Sequence, residues 1–263
     1  MAASTASRLI DGTFNALFSN FGDFLKICWA WFSIQVLATL LLGREAADLV
    51  DGPAFDPQQL AGSLALLALS IVSGASIAVA WHRRVLLGER PGAVHLAFGR
   101  REVAYAWRLV AIALLGGAFA LSLSFLRTLA EMLGGTVLSG IVAIAYLVAF
   151  VLSLPLWMRL MLVLPPAAFD ERLGLREAFA WSAGLGWPMV GASLFAALFV
   201  ALPVWLLQFV AGMLGRFVST AANIVLDVVL LVVGAALQIG ILAGGYYILR
   251  ERQMAQGAGP PAA

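Results

Sequence analysis

Asp227 stands inside an otherwise apolar run, with Asn223 one helical turn before it and Gln238 three turns after it. A carboxylate near the centre of hydrocarbon costs about 2.5–3.5 kcal/mol by insertion scales, so such a residue marks either an ion or proton path or a structural pair. Arg216 is the nearest cation in sequence. A second pattern is Trp-x-Arg, present as Trp81 to Arg83 in "AWHRR" and as Trp157 to Arg159 in "LWMRL". An indole prefers the headgroup layer, and an arginine can extend its charge from an apolar stem into water. Together with Arg84, Arg100, Arg101 and Arg176, these four residues are the candidate contacts to anionic lipid or to a partner membrane protein. Each basic residue near an anionic surface contributes about 1 kcal/mol of attraction.

Other chemistries find few residues. His82 and His95 are the only histidines, thirteen positions apart, and are read as interfacial or solvated. With Cys28 the only cysteine, the zinc-ligand spacings are not met, and neither a metal nor any other cofactor is expected. Two histidines in one loop do not face each other as haem ligands. The runs "LLGGAF" and "ILAGGYY" lack the lysine of a phosphate loop. An enzyme working on headgroups would have only Glu102, Asp170, Glu171 and Glu177 beside the basic loops, where pairing with arginine is the expected role. The single cysteine leaves no intramolecular disulfide. The amino-terminal "MAASTASRLIDGTFNALF" has no basic stretch leading into an apolar core and cleavage site, so no cleaved signal is expected.

These residues need elements to hold them. In 263 residues, 62% are hydrophobic and 11% are charged, and the mean hydropathy is +0.97. Soluble domains carry about a quarter charged residues. Lipid is the expected solvent for most of the surface. Six apolar stretches are long enough to cross a bilayer: 24–43, 62–82, 104–126, 136–164, 187–214 and 221–249. Each must be helical, because backbone groups in hydrocarbon are satisfied within the segment. The expected architecture is all-α: six transmembrane helices as three hairpins, in one membrane domain over 1–252 with a flexible tail at 253–263. Pro155, Pro188 and Pro203 are the expected bend points.

Of the sixteen lysines and arginines, thirteen fall on the side that carries both termini, the loop after the second span and the loop after the fourth. Arg44, Arg127 and Arg216 fall on the other, where "REAADLVDGPAFDPQQ" forms an acidic first loop. The positive-inside rule therefore places both termini in the cytoplasm. A net charge of +2 in this setting speaks of membrane orientation, and no nucleic-acid partner is expected.

A polar and apolar lead-in precedes each hairpin. In residues 7–21, Ile10, Phe14, Leu17, Phe18 and Phe21 gather on one arc at 100° per residue, the pattern of a helix lying in the interface plane. The second and third lead-ins share an Arg-Glu phrase, Arg101–Glu102 and Arg176–Glu177, at 18 and 17 residues from the preceding Trp-x-Arg arginine. An internal duplication related by an axis along the membrane normal would explain it. Small residues at four-residue spacing, Ser70, Gly74 and Ala78 on the second span and Ala236, Gly240 and Gly244 on the sixth, are expected to let helices approach closely.

The stretches "AWHRRVLLGERP" and "RLMLVLPPAAFDERLGLREAFAWS" resemble bacterial multi-span proteins of the glycerophosphodiester phosphodiesterase membrane-domain type. These two stretches make up 36 of the 263 residues. That resemblance implies a bacterial inner-membrane location and hairpins alternating with amphipathic cytoplasmic segments. In the relatives that hydrolyse phosphodiesters the chemistry resides in an attached soluble barrel, which these residues do not include. The expected role is non-enzymatic: engagement of anionic lipid or a partner membrane protein through an Arg-rich cytoplasmic face. The alternatives are a solute or ion transporter using Asp227 and an interfacial headgroup enzyme.

Overall fold

The computed structural model describes residues 4–47, 57–171 and 173–255, and within them leaves out the side chains of 40, 43–47, 58–59, 216–225 and 228–229. The described residues form eight helices and no strand: α1 (Thr5–Ser19), α2 (Phe21–Ala47), α3 (Pro57–Leu87), α4 (Arg100–Met161), α5 (Leu164–Ala167), α6 (Leu175–Trp181), α7 (Gly186–Met213) and α8 (Arg216–Ala255). Four helical stretches are long and apolar enough to cross a membrane: Leu60–Leu87, Arg100–Ala167, Gly186–Met213 and Leu230–Ala255. That is the composition of a membrane protein, since helices close all their backbone hydrogen bonds internally.

The longest stretch is not one rod. At Gly135 the backbone leaves helical geometry with φ 63° and ψ −158°, a region that is essentially open only to glycine. The Ser139 hydroxyl reaches the Glu131 carboxylate at 3.1 Å, eight residues away; in a straight helix they would stand about 12 Å apart. Phe119 packs on Trp157 with centroids 6.2 Å apart, and Gly116 lies beside the same indole. The two arms of α4 therefore run back along each other. Glycine makes this reversal, whereas helical structure continues through Pro155 and Pro203.

Packing is concentrated at one end. The buried core joins Leu9 and Leu17 of α1, Phe24 and Ile27 of α2, Ala78 and Trp81 of α3 and Tyr105 of α4 to Leu162, Leu164, Met189 and the Leu237–Leu249 part of α8. Toward the other end, Leu41, Leu121, Met132, Val137, Trp205 and Met213 are exposed. The most apolar window of α4 buries none of its residues, which in a bilayer requires no compensation because lipid is as apolar as leucine.

The first helix departs from the interfacial expectation. α1 packs lengthwise against α7 and α8. Its buried face is Leu9, Thr13 and Leu17; of the predicted arc Leu17 is buried, Ile10 and Phe14 are partly buried against the core, and Phe18 and Phe21 are exposed. A Cβ at Gly240 would sit 2.7 Å from Thr13 Cγ2, and one at Gly244 would sit 3.2 Å from Leu9 Cδ2. The descending order makes the two helices antiparallel. Phe14 fills the α7 side, 4.8 Å from the Phe199 ring and 6.0 Å from that of Phe195, while Phe18 stays exposed. The small-residue stripe Ala236, Gly240 and Gly244 thus admits α1, not another long span. On α3 the expected stripe is buried only at Ala78: Ser70 is exposed and Gly74 has nothing nearby, while Ser73, Ala75, Ser76 and Val79 are buried beside Ala78.

Residues 88–99 are not a helical lead-in. They are extended chain that folds back along α3 and α2. The Ser76 hydroxyl donates to Ala97 O at 2.6 Å and the Trp29 indole donates to Ala93 O at 2.9 Å. Val94, Leu96 and Phe98 are exposed on this segment, as are Ala93 and Ala97. Of the tail expected at 253–263, residues 253–255 continue α8 with Gln253 buried. Residues 256–263, like most of the acidic loop "REAADLVDGPAFDPQQ", lie outside the described residues.

Candidate functional site

The arginines converge at the packed end, and most of them act as ties between helix ends. Arg83 on α3 donates to Glu89 and, at 2.9 Å, to Ala168 O just after α5. Arg84 stands 2.9 Å from Asp23 and donates to Asn20 at 2.6 Å, joining α3 to the α1–α2 junction. Arg101 pairs with Asp170 at 2.6 Å. Arg108 donates to Val163 O at 2.8 Å and Glu171 O at 3.3 Å. Arg159 lies 3.6 Å over the Phe179 ring and donates to Ser182 at 3.2 Å, which seats α6 against the end of α4. Arg250 on α8 pairs with Glu171, and Arg8 on α1 pairs with Glu251 at 2.9 Å.

These bonds have a physical reason. The last carbonyls of a helix have no intrahelical donor, and a guanidinium brings five N–H groups to them in one plane. Val163, Ala168, Phe179 and Ala183 each offer such a carbonyl. The cations expected to face lipid are thereby largely consumed in structure. Among the described residues, Arg90, Arg100 and Arg176 are exposed and have no ion pair. Arg172 lies outside the described residues.

The four nearby acids are engaged as well. Glu102 accepts the Gly99 N–H at 2.8 Å, and Glu177 accepts the Gly174 N–H at 3.2 Å. Both stand three residues into a helix, where a glutamate satisfies an otherwise unpaired backbone donor at the start. This accounts for the shared Arg-Glu phrase locally: each copy begins a helix in the same way. Beyond it the two diverge, since α4 runs on while α6 stops at Trp181. Asp170 and Glu171 hold arginines.

Three aromatic or imidazole placements correct the sequence reading. Trp81 is 1% exposed, edge-on to Phe24 at 5.2 Å, and so is a core residue, not a headgroup anchor. Trp157 donates to Ser153 at 3.2 Å and lines a cavity of about 280 Å³ between the arms of α4. Trp81 lies in the core and Trp157 is partly buried; each stands two positions, about 200° around the helix, from its arginine, so ring and guanidinium leave the helix on opposite sides. His82 is fully buried beside Tyr105 rather than solvated. His95, in the 88–99 segment, is half-buried, and that burial holds its pKa below the usual histidine value against the opposing pull of Glu102 and the Ser76 backbone. The exposed indoles at this end are Trp29, Trp107, Trp181 and Trp187, with Trp107 71% exposed.

No protein-family model, curated protein or solved structure matches the chain. Function must therefore be argued from the residues in place.

Among the described side chains, the polar positions Asp227 and Gln238 of the sixth apolar stretch do not come together. Asp227 accepts from Gln208 of α7 at 2.9 Å, on an exposed face. Gln238 accepts from Ser193 at 2.9 Å. Eleven residues of helix separate the two by about 16 Å. The side chains of Asn223 and Arg216 lie outside the described residues. Each described polar group thus serves as a local link between α7 and α8. Among the described residues there is no group of three or more His, Cys, Asp or Glu side chains that could hold a metal ion.

Sequence reasoning missed two features. One is the folded-back 88–99 segment, where the Pro91–Gly92 pair is a turn signal between two helices. The other is an apolar groove of about 700 Å³ between α2 and α8, walled by Phe24, Cys28, Phe32, Val36, Val232 and Val233.

Proposed function

We propose that the protein is a six-crossing bacterial inner-membrane protein of three hairpins, with termini and basic loops in the cytoplasm, that binds anionic lipid or a partner membrane protein without catalysing a reaction. The supporting observation is that exposed cations and exposed indoles occur on the same helices at one end of the bundle: Arg100 and Trp107 on α4, and Arg176 and Trp181 on α6. Two cations free of structural bonds attract an anionic surface by about 2 kcal/mol, and the indoles fix the depth at which they act. Arg90 on the folded-back segment adds a third. The six arginines from Arg83 to Arg108 overstate the attraction, because Arg83, Arg84, Arg101 and Arg108 are committed to the fold. The resemblance to multi-span membrane domains supports the same location.

Enzymatic and transport readings draw less support. The acids near the basic loops are held by arginine or backbone N–H groups, and Asp227 and Gln238 serve separate links. The test is to extract the protein in native lipid patches and identify what accompanies it by mass spectrometry. Enrichment of anionic lipid or a defined partner over a control membrane protein is expected, together with its reduction in an Arg100→Gln, Arg176→Gln variant. Equal lipid and protein content in sample and control would overturn the reading.

A further inference from the structure

The α2–α8 groove runs from Phe21 at the basic end to Leu37. Sixteen residues of helix cover about 24 Å, more than the roughly 15 Å depth of one hydrocarbon leaflet. The walls are apolar throughout, apart from Ser33 and the Cys28 thiol. The groove's basic end is where charge gathers. Lys26 lies on the same helix, half exposed, one residue from the Leu25 wall, and shares Asp23 with Arg84. The Trp29 indole, also a wall, donates to Ala93 O, which ties the folded-back segment to the groove's rim; exposed Arg90 stands three residues earlier on that segment. Of the acids beside these cations, Asp23 is met by Arg84 and Glu89 by Arg83, so Lys26 and Arg90 leave this rim net positive.

We propose that this groove holds an acyl chain of an anionic phospholipid from the leaflet at the basic end, with its headgroup between Lys26 and Arg90. The inference rests on the lipid-binding reading above and narrows it to one site. A concave apolar slot takes a chain in van der Waals contact on several sides, where a flat helix face touches it on one. A neutral headgroup gains little from the rim; a phosphate with net negative charge gains from both cations.

The test uses the full-length protein in vesicles containing phosphatidylglycerol or phosphatidylcholine with a photoactivatable diazirine on the acyl chain, and maps the adducts by mass spectrometry. Adducts are expected on peptides spanning 21–37 and 232–233, denser than on the outward face of α4 and favouring phosphatidylglycerol. Ser33→Trp, which fills the groove from an exposed wall, should remove them. Lys26→Gln with Arg90→Gln, both at exposed positions, should lower the preference for phosphatidylglycerol about 25-fold, from about fivefold per cation. Adducts as dense on 113–150 as in the groove, an unchanged pattern in Ser33→Trp, or the groove peptides cross-linked to a second copy in place of lipid would each overturn the site. In those cases anionic lipid retained in native patches would leave the broader reading standing, whereas its absence there would remove that reading itself.

Discussion

The seat of α1 can be tested at a single atom. In an ordinary exposed helix, Gly→Ala stabilises by about 1 kcal/mol, because alanine loses less backbone freedom on folding. At Gly240 the new methyl would stand 2.7 Å from Thr13 Cγ2 and 3.5 Å from Thr13 Cβ. Threonine in a helix has few alternative rotamers, so the contact is relieved only by moving α1. Overpacking of this kind costs about 1–3 kcal/mol, which outweighs the propensity gain. Gly240→Ala should therefore be destabilising by about 1 kcal/mol or slightly more. Thr13→Ala removes the obstructing methyl together with a buried hydroxyl that has no partner, so the double variant should recover the loss. The coupling between the two substitutions should reach about 1 kcal/mol or more. The assay is thermal unfolding in nanodiscs, paired with maleimide labelling of a cysteine at Leu9 in a Cys28→Ser background. Gly240→Ala should raise that labelling and the double variant should suppress it. A Gly240→Ala protein that is stabilised by about 1 kcal/mol with labelling unchanged would refute the docking of α1 on α8.

Further expectations follow from other contacts. Gly186→Ala would put a Cβ 2.7 Å from the Pro155 carbonyl oxygen, which is backbone and cannot rotate away, so a loss of about 1–3 kcal/mol is expected; Gly191→Ala on the same helix, with open space around it, should instead gain up to about 1 kcal/mol in the same melts. Arg159→Ala strips a half-buried guanidinium from the Phe179 ring and the Ser182 hydroxyl. It should cost about 2–3 kcal/mol, and limited proteolysis should show cleavage near α6; Arg176→Ala, exposed, should leave both readings unchanged. His95 has its pKa lowered by burial, so the unfolded chain takes up a proton near pH 6.5 before the folded one does. That part of the stability is present above about pH 6.5 and declines as the pH falls below it. Melting curves at pH 7.5 and 5.5 should show a drop that His95→Gln diminishes.

What the residues disclosed in advance was the helical class: the six apolar stretches fall in helix except at 162–163 and 214, and four helical stretches are long and apolar enough to cross a membrane. The seat of the third reversal was legible only as a gap between apolar runs; that Gly135 makes it depends on a positive φ, which composition does not report. The site was less legible, for a reason visible in Arg83 and Arg159. An arginine at a helix end reads the same in sequence whether it faces phosphate or a neighbouring carbonyl, and here the carbonyls of Ala168 and Phe179 take the donors. Trp81 is buried and Trp157 partly buried on the opposite side of the helix from those arginines. α1 was misplaced because an apolar arc of phenylalanines describes equally a helix in the interface and one packed on protein. The glycines that decide between them, Gly240 and Gly244, stand more than two hundred residues later.

The arrangement of crossings carries the rest of the account, and one labelling experiment addresses it directly. In a Cys28→Ser background, single cysteines at Gly92, Thr136 and Ala255 would be exposed to a membrane-impermeant maleimide in intact bacterial cells and again after permeabilisation. Thr136, next to the Gly135 reversal, should label in intact cells, and Gly92 and Ala255 only after permeabilisation. Labelling of Thr136 and Gly92 from the same side would contradict the crossings, and with them the assignment of the basic end to the cytoplasm.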